Sequence, residues 1–106
     1  MITAKVLKKQ DGSYDSFSCS GHAGFSVKGK DIVCAAVSIL VINTANAMEQ
    51  FTDAKFECSS ESTIEWKFLS APDAGAKLLM DSMLLGLKEI QNEYGKRYLR
   101  LIFEEV

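Results

Sequence analysis

The chain has 106 residues, 47% of them hydrophobic and 25% charged, with a formal net charge of −2. This suits one compact domain, residues 1–106, that buries a core without staples, and the charge balance points to neither nucleic-acid nor membrane binding. Three cysteines with no framework of close spacings argue against structural disulfides and for a reducing compartment, the cytoplasm.

Residues 2–9 and 14–20 alternate as two strands, joined by a turn at Gln10-Asp11-Gly12-Ser13 in which Gly12 supplies a positive φ. The first strand lacks the long apolar core of a signal peptide. After the second strand comes the only histidine, His22, in a segment containing Gly21, Gly24 and Gly29. A loop with those glycines can fold back and set the ring beside the start of the next element.

That next element reads as a helix from about Ile32 to Phe51, with Asp31 as N-cap and Cys34 at the third helical position. The β-branched residues of Ile32 to Ile42 would also suit a strand. The cap and the small, polar continuation Asn43-Thr44-Ala45-Asn46-Ala47-Met48 favour the helix. The stretch Ile32 to Ile42 is too short to span a bilayer and is interrupted by Ser38. It is apolar nearly all round, so it must be covered on more than one side, which predicts a homodimer.

A sulfur in the first helical turn lies in the positive end of the helix dipole, which favours thiolate over thiol by roughly 0.3–1 kcal/mol at an exposed site. An imidazolium must supply the rest, and His22, twelve residues before Cys34, is placed to do so. Cysteine and histidine together are what a thiol nucleophile and its acid/base require. Ser38, four residues after Cys34, shares its helix face. Asp31, Ser38, Asn43 and Asn46 are all conceivable groups for orienting the ring. Amides at the helix start offer an oxyanion hole.

Phe56-Glu57-Cys58 and Thr63 to Phe68 predict a hairpin about Ser59-Ser60-Glu61-Ser62, with Ile64, Trp66 and Phe68 on one face. Past Pro72, Asp73 caps a second helix to about Tyr94, with Ala76, Leu79, Met80, Met83, Leu84, Leu87 and Ile90 along one stripe. Gly95 stops it, and Arg97 to Phe103 adds a last strand. Lys96, Arg97 and Arg100 read as a solvated strand face. The order ββαββαβ predicts an α+β domain, a mainly antiparallel sheet with two long helices.

The residues Gly21-His22-Ala23, then Gly29, Asp31-Ile32-Val33-Cys34-Ala35-Ala36 and Ser38, resemble the signature of the Prp family, the ribosomal-processing cysteine proteases of bacteria. The signature spans about a fifth of the chain, and the interval from histidine to cysteine is the family's. The resemblance implies an endopeptidase that removes a short N-terminal extension from the large-subunit ribosomal protein L-twenty-seven, cutting after an aromatic residue. It implies Cys34 as nucleophile and His22 as base, with Asp31 and Ser38 in support, no cofactor and no metal. Members often carry an acidic or aromatic residue before the loop glycine, whereas this chain has Val27-Lys28.

Two other functions compete. Cys19, His22, Cys34 and Cys58 include the thiolate and imidazole ligands zinc prefers, but no Cys-x-x-Cys pair is present. A non-catalytic ribosome-assembly module holding an extended tail at a sheet edge is the other. Outside a zinc site, Cys19 and Cys58 are ordinary strand residues.

Overall fold

In the computed structural model, which describes residues 1–24, 26 and 31–106, the elements follow the order ββαββαβ. They are β1 (Ile2–Lys8), β2 (Tyr14–Gly21), α1 (Ile32–Phe51), β3 (Phe56–Ser60), β4 (Ile64–Phe68), α2 (Ala74–Tyr94) and β5 (Leu99–Glu105). Gly12, at φ +87°, turns β1 into β2, and Asp11 accepts from the Ser13 amide at 2.9 Å to close the turn.

The five strands form one sheet in the order β3-β4-β2-β1-β5. All neighbours are antiparallel except β1 and β5, which the α2 crossover brings together in parallel. Register sets the faces. Ala4 sits between Cys19 and Leu101, Val6 opposite Phe17, and Phe17 opposite Trp66, so these side chains share one face. The Phe17 and Trp66 rings lie 4.8 Å apart at 34°, and Phe56 meets Phe68 edge-on at 6.1 Å. Lys5, Ser16, Ser18, Glu65 and Lys67 alternate onto the other face, which no helix among the described residues covers.

Both helices lie on the apolar face, and their buried stripes join it in one core. In α1 the stripe is Val33, Val37, Val41, Thr44 and Met48, at helical spacing. Thr44, the polar member, donates its hydroxyl to the Leu40 carbonyl at 2.8 Å. The helix runs well past Ile42, and its 20 residues are long and apolar enough to cross a bilayer. Here that apolarity divides between the core stripe and an outward face carrying Ile39 and Ile42.

In α2, Ala76, Met80, Met83, Leu84 and Leu87 are buried. Asp73 caps it, accepting from the Ala76 amide at 3.0 Å, and its other oxygen accepts from the Asp53 amide at 3.2 Å, fastening the segment after α1. The helices pack closely where Gly86 meets Leu40: a Cβ on Gly86 would lie 2.7 Å from the Leu40 Cδ2. Tyr14 on β2 donates its hydroxyl to Asp81 on α2, and Gln91 accepts from the Leu101 amide at 2.8 Å on β5. The result is a rigid layer whose β2 end meets the start of α1.

Candidate active site

Gly21 ends β2 at φ +91°, and a Cβ there would sit 2.3 Å from the Met1 carbonyl oxygen. Glycine is therefore required for the chain to leave the sheet so close to the N-terminus. The turn delivers His22, exposed, and Ala23, buried, to the first turn of α1. Gly24 also has positive φ, at +71°, with no described residue within 4 Å of where its Cβ would stand. Gly29 and the Val27-Lys28 pair lie outside the described residues.

Asp31 is the N-cap of α1, as its position predicts. Its Oδ1 accepts from the amides of Val33 and Cys34, both at 3.0 Å, and its carbonyl accepts from Ala35 at 3.1 Å. These bonds fix Cys34 in the first turn, half-buried, with its sulfur facing Ala23. They also bear on the oxyanion expectation, because two of the helix-start amides, Val33 and Cys34, already donate to the Asp31 carboxylate. The backbone donor aimed at the sulfur is instead the Ala23 N–H, 3.2 Å from Cys34 Sγ.

Two clefts meet at this point, and His22, Cys34 and Ser38 line both. The larger, about 510 Å³, runs along α1 over Val37, Val41, Ile42 and Ala45, faces Ile2 and Ile64 of the sheet, and is rimmed by Asn46 and the Ser60-Glu61-Ser62 turn. The smaller, about 430 Å³, lies toward the helix start, with Gly24, Ser26, Asp31 and Ala35. Of the four residues considered for orienting the ring, Asp31 and Ser38 share the smaller cleft with His22, Asn46 lines the larger, and Asn43 lines neither.

Cys19 and Cys58 also face the larger cleft. Burial, and then the neighbouring Cys34, push the Cys19 thiol up to about 11. Burial and Glu49 raise the Cys58 thiol. Among the described residues, no three His, Cys, Asp or Glu side chains are grouped to hold a metal ion.

The cleft walls were missed in the sequence. Their signal was available in part, since period-2 alternation places Cys19 on the same face as Phe17, and helical spacing carries Cys34 on to Val37, Val41 and Ala45.

Residues 1–99 match the family model for cysteine protease Prp. The chain is 31% identical over 102 residues to the ribosomal processing cysteine protease Prp of Bacillus subtilis, covering 89% of this chain and 90% of that protein. It is 26% identical to the Staphylococcus aureus protein of the same description, covering 91% and 93%. Among solved structures, the essential ribosomal processing protease Prp from S. aureus, in complex with a covalently linked product peptide, superposes with a TM-score of 0.91. The identity there is 25%, with 97% of this chain and 99% of that chain covered.

The chain belongs to the Prp family of cysteine proteases. Its ββαββαβ domain is the Prp fold. Within that fold, the cysteine at the start of α1 and the histidine just past β2 are, with Ser38, the residues that both clefts share.

Proposed function

We propose that this Prp-family protease uses Cys34 as nucleophile and His22 as general base and acid, and that its substrate is the N-terminal extension of the large-subunit ribosomal protein L-twenty-seven. The single observation carrying this reading is that His22 and Cys34 together line both clefts at their junction. An extended peptide lying across the two clefts brings its scissile bond to the sulfur. The S. aureus relative with a covalently linked product peptide supports acyl chemistry on a peptide.

In the first step the Cys34 thiolate attacks the scissile carbonyl and negative charge passes from sulfur to the carbonyl oxygen. The Ala23 N–H, already directed at the sulfur, follows that charge and donates to the oxyanion. His22 gives its proton to the departing amine, the thioester remains, and a water deprotonated by His22 releases the product and restores the thiol. Asp31 acts through the helix it caps, holding the sulfur in place, and Ser38 supports the pair from the next turn. The apolar larger cleft suits the aromatic residue preceding the cut. Gly21 and Gly24, both at positive φ, shape the approach to the histidine.

The protease acts as a cytoplasmic homodimer, without cofactor, membrane or direct nucleic-acid contact. Support for the dimer comes from the exposed apolar side chains of α1 outside its buried stripe, Ile39 foremost. Sedimentation giving a monomer at micromolar concentration would remove it.

The test of the activity is incubation of extended and mature forms of the ribosomal protein with the purified enzyme, read by mass spectrometry. Loss of the extension from the extended form alone is expected. An unchanged mass would exclude the reading.

A further inference from the structure

Three cysteines line the larger cleft: Cys34 on α1, Cys19 on β2 and Cys58 on β3, all free thiols. They are not equivalent. Cys19 pairs with Ile64, which pairs with Ser60, so Cys58 lies two strands across and two residues along from Cys19. With about 4.8 Å between strands and about 3.4 Å per residue, this places the two backbones roughly 12 Å apart, beyond the ~7 Å Cα separation a disulfide allows.

Cys19 and Cys34 stand in a different relation. Cys19 points inward at the end of β2, and Cys34 packs against the core cluster that contains it. The Ala23 N–H bond to Cys34 Sγ holds the segment just past β2 against the first turn of α1. After burial, the second cause raising the Cys19 thiol is Cys34, whereas Cys58 responds to burial and Glu49.

We propose that Cys19 is a resolving thiol for Cys34: a hydroperoxide oxidises Cys34 to the sulfenic acid, and Cys19 then closes an intramolecular disulfide that stores the protease in a reversible, inactive form. This rests on Cys34 being the nucleophile.

In the first step the Cys34 sulfur attacks the peroxide, the O–O bond breaks, sulfur loses two electrons and hydroxide leaves. In the second the Cys19 sulfur attacks the Cys34 sulfur, the S–S bond forms, the S–O bond breaks, and the hydroxyl departs as water with the Cys19 proton. The first step eases the second, because a neutral sulfenic acid removes the smaller of the two causes that oppose ionisation of Cys19, burial being the larger. Closure also shields the sulfur from sulfinic and sulfonic acids, which a dithiol does not reverse.

The three cysteines fall in separate tryptic peptides, 10–28, 31–55 and 56–67, so the linkage can be read directly. Reduced protein is treated with hydrogen peroxide, blocked with iodoacetamide and mapped without reduction. The expected product joins peptides 10–28 and 31–55, with cleavage activity lost and restored by dithiothreitol. Cys58→Ser should form the same link. In Cys19→Ala the Cys34 peptide should carry sulfinic or sulfonic acid, and dithiothreitol should restore less than about a tenth of that variant's own starting activity. Cys34 linked to Cys58 or to a second chain would overturn the proposal, as would Cys34 reaching the higher acids equally fast in parent and Cys19→Ala. The parent's cross-link needs no variant to fold. If Cys34→Ala still cleaves before any oxidant is added, it is the nucleophile assignment that has failed.

Discussion

Substituting alanine for Gly21 tests how the end of β2 is joined to the segment that carries His22. At φ +91° an L-residue costs about 1–2 kcal/mol. The added Cβ would also lie 2.3 Å from the Met1 carbonyl oxygen, a backbone atom that must move. Moving it disturbs the Ile2↔Gly21 end of the β1–β2 ladder, where one lost hydrogen bond costs about 1 kcal/mol more. The sum is about 2–3 kcal/mol, and at about 4–8 °C per kcal/mol for a domain of this size the melting temperature should fall by roughly 8–24 °C. Gly24→Ala is the internal reference. Its φ is +71° but no described residue lies within 4 Å of the added carbon, so it should bear only the conformational part. Thermal unfolding followed by circular dichroism measures both. Equal losses for the two variants would refute the argument that Gly21 is required by the close approach of Met1.

Other expectations concern the cap, the loop amide and a cross-layer tie. Asp31→Ala removes the acceptor of the Val33 and Cys34 amides and should cost about 0.5–2 kcal/mol in denaturant unfolding, while Asp31→Asn, which keeps an acceptor oxygen, should recover most of that stability. Ala23→Pro deletes the N–H aimed at Cys34 and should lower kcat about 10²–10³-fold in a peptide-cleavage assay, with Ala23→Gly, which keeps the donor, much closer to the parent. Tyr14, and then Lys77, hold the Asp81 carboxyl below its ordinary 3.8. A depressed carboxyl contributes stability that is present above its unfolded value and lost as pH falls through its folded one. The stability gap between parent and Tyr14→Phe should therefore narrow between about pH 6 and about pH 2, and a gap independent of pH would contradict this.

Local signals carried most of the architecture. Alternation in residues 2–9 and 14–20, the Asp31 and Asp73 caps and the Gly95 stop each depend on a few neighbouring residues, and each element lies where those residues place it. That Cys34 and His22 line the same clefts agrees with what the family signature implies. The walls of the clefts were not legible in the sequence, because they depend on β2 lying between β1 and β4 and on β3 at the edge, pairings between residues far apart in the chain. The same holds for Ala23: nothing in an alanine announces that its amide will reach a sulfur eleven residues on. At the helix start the capping carboxylate accepts from the Val33 and Cys34 amides, two of the donors that the oxyanion expectation invoked.

The most direct test of the account is cleavage of the extended ribosomal protein by the parent, Cys34→Ala and His22→Ala proteins, each shown to be folded, with binding measured alongside turnover. Both variants should bind the extension and lose at least about a thousandfold in rate, as when a nucleophile or its base is removed from a catalytic unit. Turnover by Cys34→Ala within about tenfold of the parent would contradict it.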